Sequence, residues 1–334
     1  MSGALVAAVL ADPARATGLN AGQWNALIAA ARAEQLIGSV AVRLDGVAMP
    51  PAAARILADA RASAEQGRVA ALWEAEAAQR ALAPLGLPVV LLKGTAFVAA
   101  GLDAGRGRAI GDLDILVPRE HLDAVEAALL AAGWEWVKPD PYDDAYYRRW
   151  MHELPPLIHR DRDRMIDVHH TILPPTARPT PDAGALIADA VPLCNGLSVL
   201  CPEDMVAHAA AHLFADGDLQ GGLRNLWDID RLVREFVERD AGFIAALTER
   251  AARHQLSDAV ARALRLARRI YGTPGGGEPV ASDGLFARRL LARDGWGRLR
   301  HKGTEFGFYV RSHWLRMPPA MLARHLWTKF RKKK

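Results

Sequence analysis

The sequence predicts an α+β fold, a central mixed-sheet module flanked by an N-terminal and a C-terminal helical segment. Three observations carry that expectation. Residues 1–84 are alanine-rich, with apolar side chains at helical spacing. Short apolar or alternating runs crowd between Leu87 and His170. Helical periodicity returns after the proline-rich link Pro174–Pro181. The implied organisation is a helical segment over 1–84, a sheet module over 85–200, a helical domain over 201–275 and a basic tail over 276–334.

Taken in order, Ala21–Gln35 forms the first helix, with Trp24, Leu27, Ile28 and Ala31 at helical spacing. A long helix starts at Pro51, a favoured first-turn residue, and runs to about Ala83. Val69, Leu72 and Trp73 mark its expected buried stripe, Gly67 interrupts it, and Pro84 and Gly86 end it. Pro88–Leu92 reads as a buried strand. Lys93-Gly94-Thr95 then leads into a helical turn over Ala96–Ala100, and a glycine- and arginine-rich loop follows, to Arg108. Asp112–Val117 is a strand, Pro118–Ala132 a helix capped by Gly133, and Trp134–Val137 a short strand. Leu154–Arg160 and Arg164–His170 pair as a hairpin across Asp161–Asp163. Further helices run from Pro202 to Phe214, Leu219 to Arg239, Asp240 to His254 and Leu256 to Tyr271.

Composition removes several classes. Among 334 residues, 51% are hydrophobic and 24% charged, too apolar for a disordered chain. No apolar run reaches the ~18–20 residues of a membrane span. The apolar N-terminus lacks the basic start of a secretory signal, and so reads as a helix of the mature protein. Two cysteines, Cys194 and Cys201, exclude a disulfide scaffold and fit a reducing compartment, so the expected location is cytoplasmic. The net charge of +4 conceals an asymmetry: Arg288–Lys334 carries +12 and the rest of the chain −8. A global nucleic-acid field is therefore unsupported, and any anionic contact belongs to the tail.

The sharpest chemical feature is Gly111-Asp-Leu-Asp-Ile-Leu-Val117. Side chains alternate along a strand, so Asp112 and Asp114 share one face and Leu113, Ile115 and Val117 the other. Two neighbouring carboxylates on a buried strand repel each other unless a cation lies between them. Mg²⁺ suits carboxylate oxygens combined with substrate phosphates; a solvated strand edge is the plain alternative. Three neighbours favour the metal. Lys93-Gly94-Thr95 follows a buried strand and opens a helix, where glycine permits close approach and free amides face a phosphate. Asp167 and His169 share a face of their strand, and Asp167 joins the first two carboxylates if that strand lies beside Asp112–Val117. Arg108 is placed to hold a triphosphate or the carboxylates themselves. Two ions held by such a cluster would stabilise the entering and leaving oxygens of an in-line phosphoryl displacement.

This ordered set, strand-Lys93-Gly94-Thr95, then Arg108-Ala-Ile-Gly-Asp112-Leu-Asp114, then Ile166-Asp167-Val-His169, resembles the nucleotidyltransferase superfamily with the DNA polymerase β-like fold. The closest branch is that of the uncharacterised nucleotidyltransferases. Pro202–Leu213 and Leu223–Leu232 continue the resemblance, which covers roughly residues 85–255. It implies a nucleotidyltransferase catalytic module over 85–200. Gly94 and Thr95, with Lys93 and Arg108, would bind the nucleotide. Asp112, Asp114 and Asp167 would bind two Mg²⁺ ions and perform catalysis, and His169 would touch substrate or orient Asp167. The donor would be an NTP such as ATP. The acceptor would be a hydroxyl-bearing small molecule, sugar, peptide or protein, or an RNA end, which a shared metal core does not distinguish. A binding or regulatory module of the same fold, without catalysis, is the alternative. Thr95 stands where serine is commoner in the superfamily, and 16 residues separate it from Asp112, more than in compact members.

Weaker signals remain. His208 and His212 share a helix face, a spacing that suits zinc, but no third ligand is evident and packing is the stronger expectation. Asp228 and Asp230 are expected in caps or ion pairs, and Arg224 as a phosphate contact. The tail Met321–Lys334 sets Leu322, Leu326 and Phe330 four apart, a pattern fit for an anionic surface or for a solvated end.

Overall fold

The computed structural model describes residues 2–138, 141–215, 217–316 and 327. The tail stripe Leu322, Leu326 and Phe330 lies outside the described residues. Among the described residues, no helix is long and apolar enough to cross a membrane.

Seven strands form one mixed sheet: β1 (Val90–Leu91), β2 (Asp112–Leu116), β3 (Trp134–Trp136), β4 (Leu157–His159), β5 (Met165–His169), β6 (Val191–Pro192) and β7 (Ser198–Val199). Their order is β3-β4-β5-β2-β1-β7-β6. β2 lies centrally, antiparallel to β1 and parallel to β5, so the expected neighbours Asp112–Val117 and Arg164–His170 do pair. β4 and β5 form the expected hairpin. Leu113, Ile115 and Val117 are buried on one face of β2 as read, and on the other face Asp112 is exposed while Asp114 and Leu116 are buried.

The helices flank this sheet. Pro51–Leu82 is one unbroken helix of 32 residues and does not break at Gly67; one glycine costs about 1 kcal/mol, too little to stop a helix of that length. Its expected buried stripe is corrected. Val69 and Trp73 are exposed, and Ala71, Ala75, Ala78 and Leu82 face the core. Small alanines let the helix lie close to its neighbours, while the Trp73 ring meets the Arg162 guanidinium at 4.9 Å on the outside. Arg162 also lies 4.8 Å from the Trp134 ring and forms an ion pair with Glu74, binding this helix to the hairpin turn. Short helices unmarked by strong periodicity appear at Ile37–Arg43, Pro141–Trp150 and Ala183–Ala188. In the basic region, Asp283–Leu290 and Lys302–Arg316 are helical.

One apolar core runs from Val6 to Phe308. The amino-terminal segment is tied to Arg293: the Ser2 and Gly3 amides donate to the Arg293 carbonyl at 3.0 and 3.4 Å, and the Arg293 guanidinium pairs with buried Glu34 at 2.5 Å.

Candidate active site

The register of β2 and β5 builds the site. In these parallel strands Asp112 stands opposite Met165 and Asp114 opposite Asp167. Residues directly opposite in a sheet point to the same face, so three carboxylates converge. Asp112, Asp114 and Asp167 each offer an oxygen, and these oxygens lie within 4.8 Å of one another. Asp112 is exposed, Asp167 half-buried and Asp114 buried, which grades the group from solvent inward.

The inner carboxylate is strongly held. Lys93 Nζ donates to Asp114 Oδ1 at 2.5 Å, and His169 Nε2 lies 3.0 Å from the same oxygen. Burial by itself would raise the Asp114 pKa, but the Lys93 ammonium and then His169 more than offset it, so Asp114 stays ionised well below the usual carboxylate range. Asp167 has no such partner among the described residues. Burial, then the charges of Asp114 and Glu153, push it up to about 7. Crowded carboxylates of which one resists ionisation are a donor set that fits a divalent cation.

Lys93 adopts φ +51°, a left-handed conformation uncommon for a residue with a side chain. That twist ends β1 after Leu91 and opens the helix Lys93–Ala99 three residues earlier than its apolar pattern suggests. The amino end of this helix has no side-chain cap. Thr95 is buried at 1% exposure, and its Oγ1 has no hydrogen-bond partner. Gly94 is buried as well, so the turn is enclosed, whereas the sequence alone predicts free amides that face a phosphate.

Arg108 explains that enclosure and corrects an expectation. It holds neither the Asp112–Asp167 group nor an open phosphate seat. Its Nε donates to Asp228 Oδ2 at 3.0 Å, its guanidinium lies 5.6 Å from the Phe97 ring, and both charged partners are buried. A buried guanidinium without a carboxylate would be strongly unfavourable, and Asp228 on the helix Gly222–Arg239 supplies one. A Cβ at Gly94 would sit 1.9 Å from Arg108 Nη1, so glycine makes room for this arginine.

Other side chains find simpler places. Burial keeps His208 well below its usual pKa and takes His212 to about 3, so both are neutral. They face Lys93, Phe97, Arg108 and Asp228, and neither joins a group of three metal-capable side chains among the described residues. Asp230 accepts from Arg231, Arg234 and Thr273. Arg224 donates to Gln35 at 2.5 Å, while its buried Nε has no partner. It lines a cavity of about 900 Å³ that opens beside Asp112, together with Arg32, Gln35, Ile110 and Met165.

Two residues next to the site carry no periodic signal: His152 and Glu153. The segment before β4 folds back along β5, with Glu153 bridged antiparallel to His169 and the His170 amide donating to the His152 carbonyl at 2.9 Å. Glu153 Oε2 lies 3.4 Å from His169 Nδ1. Burial, then the nearby charges of His169 and Lys93, push His152 down to about 3. Only the unusual His-Glu pair just before Leu154 could have hinted at them.

A family model described as an uncharacterised nucleotidyltransferase matches residues 20–272. No curated protein and no solved structure matches the chain.

Proposed function

The chain belongs to the uncharacterised nucleotidyltransferase family, and from that premise we propose that it transfers a nucleoside monophosphate from an NTP such as ATP to a hydroxyl-bearing acceptor, in a Mg²⁺-dependent reaction. The observation that carries this reading is the convergence of Asp112, Asp114 and Asp167 within 4.8 Å on one face of the sheet. These three residues would hold two Mg²⁺ ions. When bound, the ions supply charge neutralisation at the transferred phosphoryl group and its pyrophosphate leaving group, and they acidify the attacking hydroxyl.

The chain's own groups supply the rest. Lys93 keeps Asp114 ionised and is the cation nearest the carboxylates on this face. Gly94 and Thr95, at the uncapped start of Lys93–Ala99, are the proposed nucleotide contacts, which requires the enclosed turn to open when the NTP binds. Arg108 supports that turn from behind through Gly94. Asp167 is the carboxylate suited to accept the acceptor's proton in this reading. The cavity beside Asp112, with Arg32, Gln35 and Arg224 on its wall, is the acceptor seat in this reading. Its wall is largely apolar, with Arg32, Arg224, Gln35 and Ser63 as polar contacts and Asp59 and Asp112 as acidic ones, and it would seat a hydroxyl-bearing small molecule, sugar, peptide or protein side chain.

The test is incubation of the protein with each labelled NTP, Mg²⁺ and cell extract. Label transferred to one acceptor, with release of pyrophosphate, is the expected result. NTP binding without turnover across that screen would favour the non-catalytic module of the same fold, and no NTP binding at all would overturn both.

A further inference from the structure

We propose that His152, Glu153 and His169 form a second metal site, distinct from the three aspartates, that takes a borderline divalent transition ion of the zinc type. Each of the three offers one ligand atom, and these atoms lie within 4.8 Å of one another. Two imidazoles and one carboxylate are the donor set of open zinc sites, whereas Mg²⁺ and Ca²⁺ prefer oxygen alone.

The spacing fits. Two donors each about 2.1 Å from one ion, at a tetrahedral angle, stand about 3.4 Å apart. Glu153 Oε2 lies 3.4 Å from His169 Nδ1 and 3.8 Å from His152 Nε2. The two rings face each other with centroids 5.1 Å apart. The backbone holds this arrangement, because Glu153 is bridged directly opposite His169.

The second observation is the state of His169. Its side chain is 2% exposed, and Nδ1 has no hydrogen-bond partner. Its other nitrogen, Nε2, lies 3.0 Å from the Asp114 carboxylate, while Nδ1 faces Glu153 Oε2 at 3.4 Å. A metal ion there completes a carboxylate–histidine–metal chain, the usual way a ligating histidine is oriented. The rival occupant is a proton shared by Glu153 and His169.

Zn²⁺ titration of chelator-stripped protein, in competition with a chromophoric indicator, separates the two, and Co²⁺ absorption reports the ligand set. The wild type should bind one Zn²⁺ at micromolar concentration or tighter. Glu153→Gln and His152→Asn, each checked for folding by circular dichroism, should each lose at least about 10-fold in Zn²⁺ affinity. Asp112→Asn should bind Zn²⁺ as the wild type does. Absence of Zn²⁺ binding by the wild type would overturn the proposal in favour of the proton. So would retention of full affinity by both variants, or an equal loss in Asp112→Asn. None of these readouts depends on NTP turnover, so this site and the proposed activity stand or fall separately.

Discussion

Asp114 and Asp167 stand directly opposite each other across the parallel strands β2 and β5. Their environments separate them: Asp114 pairs with the Lys93 ammonium and lies 3.0 Å from His169 Nε2, while Asp167 faces other carboxylates and is pushed up to about 7. Two like residues at one level of a sheet therefore differ in charge in the metal-free chain.

That asymmetry makes metal-free stability depend on pH. The folded pKa of Asp167, about 7, lies above its ordinary 3.8, so the folded chain binds the proton more tightly than the unfolded chain. The contribution is fully present below about pH 3.8 and is lost as pH rises through about 7. In chelator, Asp167→Asn should be more stable than the wild type at pH 8, by roughly 1–4 kcal/mol, and the difference should vanish toward pH 4. Adding Mg²⁺ at pH 8 should raise the Tm of the wild type and not that of the variant. Thermal unfolding across this range is the measurement, and a pH-independent difference would contradict the shift.

Asp112 offers the cleanest test of the metal group, because it is exposed and makes no buried ion pair. Asp112→Asn should change stability by no more than about 0.5 kcal/mol. It should lower NTP turnover by at least about 100-fold. Pyrophosphate release at the wild-type rate would remove Asp112 from the reaction. Asp114→Asn is a poorer probe, since it strands the Lys93 ammonium in a buried setting.

How far the sequence foretells this site depends on the range of each relationship. The face shared by Asp112 and Asp114 follows from strand alternation alone, and Asp167 from the same rule applied to its own strand. The left-handed turn at Lys93 has no sequence marker, because glycine, the usual occupant, is the next residue. The Arg108–Asp228 pair joins residues 120 apart, so neither side chain reveals its partner. Glu153 and His152 lie in a segment without periodicity whose pairing with β5 is tertiary. The long helix misled for a different reason: large apolar residues were read as its inner face, but Ala71, Ala75 and Ala78 achieve closer packing.

Thr95 carries two opposite expectations. Its buried Oγ1 lacks a partner, so Thr95→Val, nearly isosteric, should stabilise the ligand-free chain by about 1 kcal/mol. The same change should weaken NTP binding by about 1–3 kcal/mol if that hydroxyl donates to a phosphate. Thr95→Ser should leave NTP binding nearly unchanged. Calorimetric titration of NTP with Mg²⁺ into both variants distinguishes them, and unaltered affinity in Thr95→Val would leave the hydroxyl without a part in binding.

Gly94 tests the support behind the turn. A Cβ there would lie 1.9 Å from Arg108 Nη1 and 2.8 Å from its Cζ. An arginine tip at a surface would swing aside, but this one is 8% exposed and paired with Asp228, 3% exposed. Moving it strands the Asp228 carboxylate, so Gly94→Ala should cost about 3–5 kcal/mol, the scale of a broken buried pair. Gly94→Val should cost more and also weaken NTP binding strongly, through displacement of the turn. A double-mutant cycle isolates the cause. With Arg108→Ala already present, the space is open and Gly94→Ala should cost under about 1 kcal/mol, a strongly non-additive result. Equal losses in the two backgrounds, measured by chemical denaturation, would mean that Arg108 is not what glycine accommodates.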